Sequence, residues 1–380
     1  MKMYQCIATS SFGLEAVVKR ELQDLNFEIV ETENGKITFL ADRHGIVKAN
    51  LWLRSADRVL LKIGEFKAFT FDELFDQTIL LPWSELLPMN ARFIVSGKSV
   101  KSKLSSVRNV QSITEKAIIK NLQAKYRIDY FPKNGDSYPI LVSILKDKVT
   151  LTLDTSGDGL HKRGYRVETV EAPMKETLAA ATVMLSFWEK DRILYDVFCG
   201  SGTIPIEAAM IGRNIAPGLN RDFTSKHWGF IGEDVWKEET RNAYLAIDHD
   251  VELQIYASDI SEKNLEAAKE NAIEAGVDDC ISFRVSDYQD IEYKDDYGVL
   301  ISNPPYGERL SDQEEVRKLY KNMGKLYKKL STWSIYILTS YDDFEEVYGQ
   351  KVSRRRKLYN GRIETWFYQY YGPRPPKDTK

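Results

Sequence analysis

The stretch Ile193-Leu-Tyr-Asp196-Val-Phe-Cys-Gly200-Ser-Gly202-Thr203-Ile-Pro-Ile-Glu-Ala-Ala-Met-Ile211 decides how the second half of the chain is read. A short apolar run ends on an acid, a turn with two glycines follows, and a helix-forming run occupies 204–211. Glycine at 200 and 202 lets the backbone turn sharply and lets a ligand approach closely. The same turn also suits any plain strand-to-helix junction. The third glycine of a dinucleotide fingerprint is missing, since Ile206 stands four residues beyond Gly202. No Gly-Lys-Ser/Thr follows, so this is not a P-loop. Asp196 at the strand end disfavours a phosphate and suits a ligand with a cationic amino group.

Working outward, strands are expected at 193–197, 254–258, 281–285, 298–302 and 334–339. Helices lie between them, most clearly at 261–275 and 314–330. This alternation predicts an α/β domain with a parallel sheet covered on both faces. Strands at 352–358 and 363–370 flank Asn360-Gly361, a hairpin signal, so the sheet should end in antiparallel strands.

Three of these strands run into polar residues. The first leads to Asp259-Ile260, where a carboxylate can accept ribose hydroxyls or simply open the next helix. The separation from Asp196 is longer than the usual ~20 residues, which calls for an insertion. Residues 216–236, with Pro, Gly, Asn and aromatics, look like it. The second leads to Asp287, an acid able to bond an adenine amino group. The third leads to Asn303-Pro304-Pro305-Tyr306. A nucleobase amine is a poor nucleophile because its lone pair is delocalised into the ring. An Asn carbonyl and a backbone carbonyl can accept its two hydrogens and localise that pair. Two prolines, lacking N–H and with fixed φ, keep the carbonyls aimed. Tyr306 offers a ring on which an extruded base can stack.

Upstream, a strand at 4–9, a helix at 13–25, strands at 28–32 and 36–40 joined at Asn34-Gly35, a helix at 46–53 and a strand at 58–66 follow a β-α-β-β-α-β order. That order matches a ferredoxin-like unit. A second unit has helices at 71–80 and 107–122, a strand at 92–97, and paired strands at 139–146 and 148–154. Turn-rich residues 155–159 mark a boundary.

The four motifs, in this order, resemble the S-adenosylmethionine-dependent amino-methyltransferases of Rossmann-like fold. The stretches Leu153-Asp-Thr-Ser-Gly-Asp-Gly-Leu-His-Lys-Arg-Gly-Tyr-Arg166, Ile215-Ala-Pro-Gly-Leu-Asn-Arg221, Asn303-Pro-Pro-Tyr-Gly-Glu-Arg-Leu310 and Arg356-Lys-Leu-Tyr-Asn-Gly361 narrow the match. They resemble the ribosomal RNA guanine-N2 methyltransferases of the RlmL and YpsC type. The resemblance implies a ferredoxin-like unit over 1–65, a THUMP RNA-binding unit over 66–156 and a Rossmann-like methyltransferase domain over 157–380. It also implies that Asp196, Phe198, Gly200, Gly202 and Thr203 hold the methionine part of the cofactor. Asp259 with Ile260 would hold the ribose, Asp287 the adenine, and Asn303, Pro304, Pro305 and Tyr306 the target amine. The stretch Ala172-Pro-Met-Lys175-Glu-Thr-Leu-Ala-Ala180 looks like the helix that such enzymes place over the cofactor. Val197 departs from the Pro often found there. The chain carries one such domain, so the second activity of longer two-domain relatives is not expected.

The 380 residues hold 53 Lys and Arg against 56 Asp and Glu, a net charge of −3, with a pI near 6.0. At face value that argues against nucleic acid, but the sum hides its parts. Residues 91–133 carry ten basic and two acidic residues, a net +8. Residues 231–300 carry six basic and nineteen acidic, a net −13, and residues 351–380 nine basic and two acidic, a net +7. Lys98, Lys101, Lys103, Arg108 and Lys116 are therefore expected to meet RNA phosphates. Arg354, Arg355 and Arg356 either do so too or form a charged edge strand.

Cys6, Cys199 and Cys280 form no CxxC pair, and no leader or membrane span is read, which points to a reducing cytoplasm. His44, His161, His227 and His249 show no ligand spacing, so no metal is expected. The expected partner is structured RNA, ribosomal RNA or its precursor. Three rivals remain: a DNA adenine-N6 or cytosine-N4 methyltransferase, a protein-glutamine methyltransferase, and an RNA-binding factor with an idle site.

Overall fold

A computed structural model describes residues 2–167, 174–306 and 313–376. The expected helix start at Ala172-Pro173 and the motif end at 307–310 lie outside the described residues. The chain forms two compact units. One comprises residues 1–10, 19–160 and 222–242, and the other residues 11–18, 161–221 and 243–380.

The first unit is built on one seven-stranded sheet. Its elements are β1 (Tyr4–Thr9), α1 (Glu15–Asp24), β2 (Glu28–Glu33), β3 (Lys36–Ala41), α2 (Arg43–Trp52), β4 (Arg58–Lys67), α3 (Phe71–Ile79), α4 (Trp83–Leu86), β5 (Arg92–Val100), α5 (Val107–Tyr126), β6 (Ser137–Leu145) and β7 (Lys148–Asp154). The sheet order is β2-β3-β1-β4-β7-β6-β5. The first four strands carry the ferredoxin-like pattern. The antiparallel β4–β7 pairing, Leu61 opposite Leu153, then continues the same sheet into the remaining three strands. α5 lies on this sheet through Val110, Ala117, Ile118 and Leu122, all buried.

The expected insertion has a different home from the one its position in the chain suggests. Residues 222–242 belong to the first unit. The Trp228 ring stacks on Tyr138 at 4.8 Å, and its Nε1 donates to the Ser137 carbonyl at 2.9 Å. A buried indole needs both an apolar face and a partner for its N–H, and β6 supplies both.

The second unit contains α6 (Glu176–Leu185), β8 (Leu194–Asp196), α7 (Thr203–Gly212), α8 (Glu233–Leu245, only its last residues), β9 (Ile255–Asp259), α9 (Glu262–Glu274), β10 (Ile281–Val285), β11 (Val299–Ser302), α10 (Gln313–Tyr327), β12 (Ser334–Thr339), α11 (Phe344–Tyr348), β13 (Arg354–Asn360) and β14 (Ile363–Tyr370). Its sheet order is β10-β9-β8-β11-β12-β14-β13. The first five strands are parallel, and β14 pairs antiparallel with both β12 and β13. One face is covered by α6, α7 and α9, through residues such as Leu178, Ile206 and Leu265. The other is covered by α10 and α11, through Val316, Tyr320, Tyr327 and Phe344. This is the expected α/β sheet with two covered faces and an antiparallel end. From β8 the chain winds outward through β9 and β10, then returns to the other side of β8 at β11. That reversal makes the β8–β11 edge a topological switch point, where such sheets open a crevice at the carboxyl ends of their strands.

Candidate functional site

Two loops face that crevice: the glycine turn after β8 and the Asn-Pro-Pro-Tyr loop after β11. The turn needs its glycines. Gly200 and Gly202 have φ of +53° and +81°, and a Cβ on Gly202 would lie 3.0 Å from the Ala268 Cβ of α9. Asp259 at the end of β9 holds the turn from below, its Oδ2 accepting from the Gly200 N–H at 3.0 Å. Its Oδ1 accepts from Ser261 N at 2.9 Å and from Asn264 Nδ2 at 3.2 Å. A carboxylate has about four acceptor positions, so one, on Oδ2, is left for a ligand hydroxyl. The next residue, Ile260, is 73% exposed, which leaves an apolar wall beside that acid. Across the crevice edge the Phe198 ring meets Tyr288 at 5.3 Å. Asp287 caps the short helical turn at 288–290 through Gln289 N at 2.9 Å.

Asp196 is placed differently from a surface ligand acid. It is buried, and its Oδ1 accepts from Ser302 Oγ at 2.9 Å and from Phe198 N at 3.2 Å. Its Oδ2 makes no hydrogen bond among the described residues. Burial pushes its pKa up to about 7, with Asp259 a minor like-charged contributor. A buried acid with one unpartnered oxygen is what a cationic ammonium would complete. With the glycine cradle and the exposed Ile260, this fits the aminocarboxylate and nucleoside ends of S-adenosylmethionine.

Four residues that motif reading missed, Arg166, Asn271, Ser302 and Tyr320, hold this turn or the loop after β11. Arg166 donates from Nη1 to Ser201 Oγ at 3.0 Å and from Nη2 to Thr203 Oγ1 at 3.1 Å. It also reaches Glu176 at 2.7 Å and the Met174 carbonyl at 3.1 Å at the start of α6. Asn271, fully buried on α9, donates to the Ser201 carbonyl at 3.1 Å and accepts from Val167 N at 3.0 Å. Lys175 is the N-cap position of α6, and its own N–H meets Asn360 Oδ1 at 3.4 Å. Lys175 was expected from the sequence; Ser302 and Tyr320 complete the four that were not. Arg166 had a signal in the quoted stretch ending there. Asn271, Ser302 and Tyr320 had none.

In the second loop Asn303 is half-buried, Pro304 buried and Pro305 exposed. The Tyr306 hydroxyl donates to Asn303 Oδ1. Tyr320, buried on α10, donates to the Pro305 carbonyl at 2.8 Å. With its single hydrogen used there, it accepts from Thr339 Oγ1, also at 2.8 Å. Cys199 is buried with its thiol pKa raised by desolvation, which fits packing rather than nucleophilic chemistry.

The basic candidates fall into two groups. Lys98, Lys101, Lys103, Arg108 and Lys116 are all exposed in the first unit, on β5, the 101–106 loop and α5. Ser106 caps the 20-residue α5. Lys103 N donates to Asp147 Oδ1 at 2.6 Å, which pins the loop, while its Nζ sits 4.8 Å from the Phe69 ring centre. Arg354, Arg355 and Arg356 lie on the edge strand β13 of the second unit. Arg355 packs over Trp366 at 5.0 Å and borders a hollow that Asp342, Asp343, Glu345 and Glu346 also line. Four carboxylates there weaken its claim on a phosphate.

Comparison with known proteins identifies the family of each part of the chain. Residues 163–369 match the RMKL-like methyltransferase domain, residues 5–60 the RlmL ferredoxin-like domain and residues 68–154 the THUMP domain. The chain is 48% identical over 382 aligned residues to the candidate RNA methyltransferase YpsC of Bacillus subtilis, covering 100% of this chain and 99% of that protein. It is 34% identical to the ribosomal RNA large subunit methyltransferase K/L of Syntrophotalea carbinolica, over 94% of this chain but 52% of that longer protein. A crystal structure from Listeria monocytogenes, named as a predicted N6-adenine-specific DNA methylase, matches with TM-score 0.94 and 52% identity, covering 98% of this chain and 97% of that one. The crystal structure of SMU.472, a methyltransferase candidate complexed with SAH, matches with TM-score 0.94 and 44% identity, covering 99% of this chain and 100% of that one. The chain belongs to the S-adenosylmethionine-dependent methyltransferases with an RMKL-like catalytic domain.

Proposed function

We propose that the protein methylates the exocyclic N2 amine of a guanosine in large-subunit ribosomal RNA, working in the cytoplasm. One observation carries the reading: Asn303-Pro304-Pro305-Tyr306 ends β11 beside the glycine turn of β8, and Ser302 ties the two together through Asp196. When bound, S-adenosylmethionine supplies a methyl group on a positively charged sulfur. Asp196 would hold its ammonium, Asp259 a ribose hydroxyl, and Ile260, Phe198 and Asp287 its adenine, above the turn formed by Gly200, Gly202 and Thr203. Lys175 stands at the head of the covering helix.

Asn303 Oδ1 and the Pro304 carbonyl accept the two hydrogens of the target amine and aim its lone pair across the crevice. The Tyr306 hydroxyl must leave Asn303 for this to happen, which frees its ring to stack on the base. Tyr320 fixes the loop from behind, so little motion is lost when the base arrives. Holding the amine in line supplies most of the acceleration. In the first unit, Lys98, Lys101, Lys103, Arg108 and Lys116 bind the phosphates of structured RNA, as the THUMP match supports. Of the β13 arginines, the exposed Arg354 remains the better candidate for phosphate, whereas Arg356 is half-buried with its Nε enclosed.

The test is incubation with labelled S-adenosylmethionine and unmodified ribosomal RNA, duplex DNA or protein. The expected label is on guanine N2 of the RNA. Label on DNA or protein and never on RNA overturns the reading.

A further inference from the structure

The Lys357–Gly361 stretch has no role in the chemistry above, yet the topology carries it to the crevice edge. β14 is antiparallel to β12, and β13 is antiparallel to β14, so β13 runs parallel to β11 and β12. Lys357 pairs with Trp366, which pairs with Thr339, the last residue of β12. Tyr359 and Asn360 therefore extend beyond the carboxyl edge, on the side that bears Asn303. Asn360 meets the N-cap of α6 at Lys175, and Arg166 joins the residues on either side of Lys175 to Ser201 and Thr203 of the glycine turn.

An exposed aromatic stands beside this hairpin. Phe12 is 59% exposed, and its ring meets Tyr359 edge-on at 6.4 Å. Its backbone is held in place. Gly13, at φ +91°, approaches so closely that a Cβ would lie 2.4 Å from the Lys357 carbonyl oxygen, and Leu14 is buried in the core with Leu358. The anchored backbone thus fixes where the exposed phenyl ring stands, beside Tyr359. Lys357 Nζ lies 5.8 Å from the Tyr359 ring centre, and three residues beyond Tyr359, in the hairpin turn, Arg362 is exposed and makes no hydrogen bond or ion pair among the described residues. An exposed aromatic pair on a hairpin that also carries basic side chains suits an unpaired nucleobase and its phosphate.

We propose that Phe12 and Tyr359 form a stacking platform for an unpaired base of the RNA substrate flanking the target nucleotide, with Arg362 on the adjoining phosphate. The proposal rests on the RNA reading above. It is tested with the full-length protein and a fragment of unmodified ribosomal RNA that the wild-type protein methylates. Phe12→Ala should weaken binding of that fragment about ten-fold or more, leave affinity for S-adenosylmethionine unchanged, and leave the salt slope unchanged. Phe12→Trp should restore binding. Arg362→Gln should instead lower the salt slope by about 0.7 to 0.9. An abasic site at the flanking position should remove the difference between wild type and Phe12→Ala. A fragment that binds and is methylated equally by wild type, Phe12→Ala and Tyr359→Leu overturns the platform and leaves the RNA reading intact. A wild-type protein that methylates only protein overturns both.

Discussion

Ser302 Oγ lies 2.9 Å from Asp196 Oδ1, and the same hydroxyl accepts from Val197 N at 3.1 Å. One side chain at the end of β11 thereby closes the head of the glycine turn after β8. The two loops that would carry cofactor and target share a hydrogen bond, so displacing one disturbs the other. Ser302→Ala removes the donor to Asp196 and strands the Val197 N–H. A stability loss of about 1–3 kcal/mol is expected from an unsatisfied buried group, read by denaturant unfolding. Affinity for S-adenosylmethionine should fall with it, read by calorimetry. Unchanged affinity would show that the turn keeps its shape without this link.

Asp196 also makes the site sensitive to pH. Its pKa is raised from an ordinary 3.8 to about 7 by burial. The folded chain thus binds this proton more tightly than the unfolded chain does. The resulting stability is present in full below about pH 4 and is lost as pH rises through about 7. An arriving ammonium favours the carboxylate, so cofactor binding between about pH 5 and 7 should release a proton. Calorimetry in two buffers of different ionisation enthalpy measures that number. Asp196→Asn should abolish both the proton release and the stability slope.

Asn303 and Tyr306 separate positioning from stacking. Asn303→Ala should lower kcat by about 100- to 1,000-fold, the range seen when a preorganised polar group is removed from a reacting centre, with affinity for S-adenosylmethionine unchanged. Tyr306→Phe keeps the ring and releases the Asn303 carbonyl, so RNA turnover should be kept. Tyr306→Ala should lower it. If Tyr306→Phe is as damaging as Tyr306→Ala, the hydroxyl has a role that stacking does not explain.

Tyr320 acts on the Pro305 carbonyl from the buried side of α10. Tyr320→Phe keeps the ring and removes two hydrogen bonds, to the Pro305 carbonyl and to Thr339 Oγ1, of which the one that holds the loop is worth about 0.5–1.5 kcal/mol. Expressed in the barrier, that is about a two- to twelve-fold drop in kcat. Cofactor affinity should not move, because Tyr320 touches the β11 loop and not the glycine turn.

Strands β1, β7, β10, β12 and β14 occupy the residues their apolar runs indicated, because turn residues bound each run sharply. The site's outline was legible for the same reason: each motif follows a strand end. Its wiring was not. Arg166 reaches Ser201 and Thr203, and Tyr320 reaches Thr339, through side-chain tips whose partners only the fold brings near. Tyr320 reads as one more apolar position on the α10 face with Val316, Met323 and Tyr327. The inward turn of Asp196 was hidden likewise, since a strand-end acid looks the same whether it faces a ligand or a serine. Trp228 packs in the first unit against Tyr138 and Ser137, far earlier in the chain.

The basic surface of the first unit can be weighed by salt. Lys101, Lys103 and Arg108 are exposed around the start of α5, where the helix N-terminus adds partial positive charge. Each phosphate they neutralise releases counterions, which contributes about 0.7 to 0.9 to the slope of log affinity against log salt. Replacing all three by Gln should therefore lower the slope by about two to three and weaken RNA binding most at low salt. The fold should survive, since these side chains are exposed and the loop is held by the backbone contact of Lys103 to Asp147. Because the described residues of the proposed catalytic site belong to the second unit, kcat at saturating RNA should hold while KM for RNA rises. An unchanged slope would mean that phosphates meet the protein elsewhere, with Arg354 the next residue to neutralise.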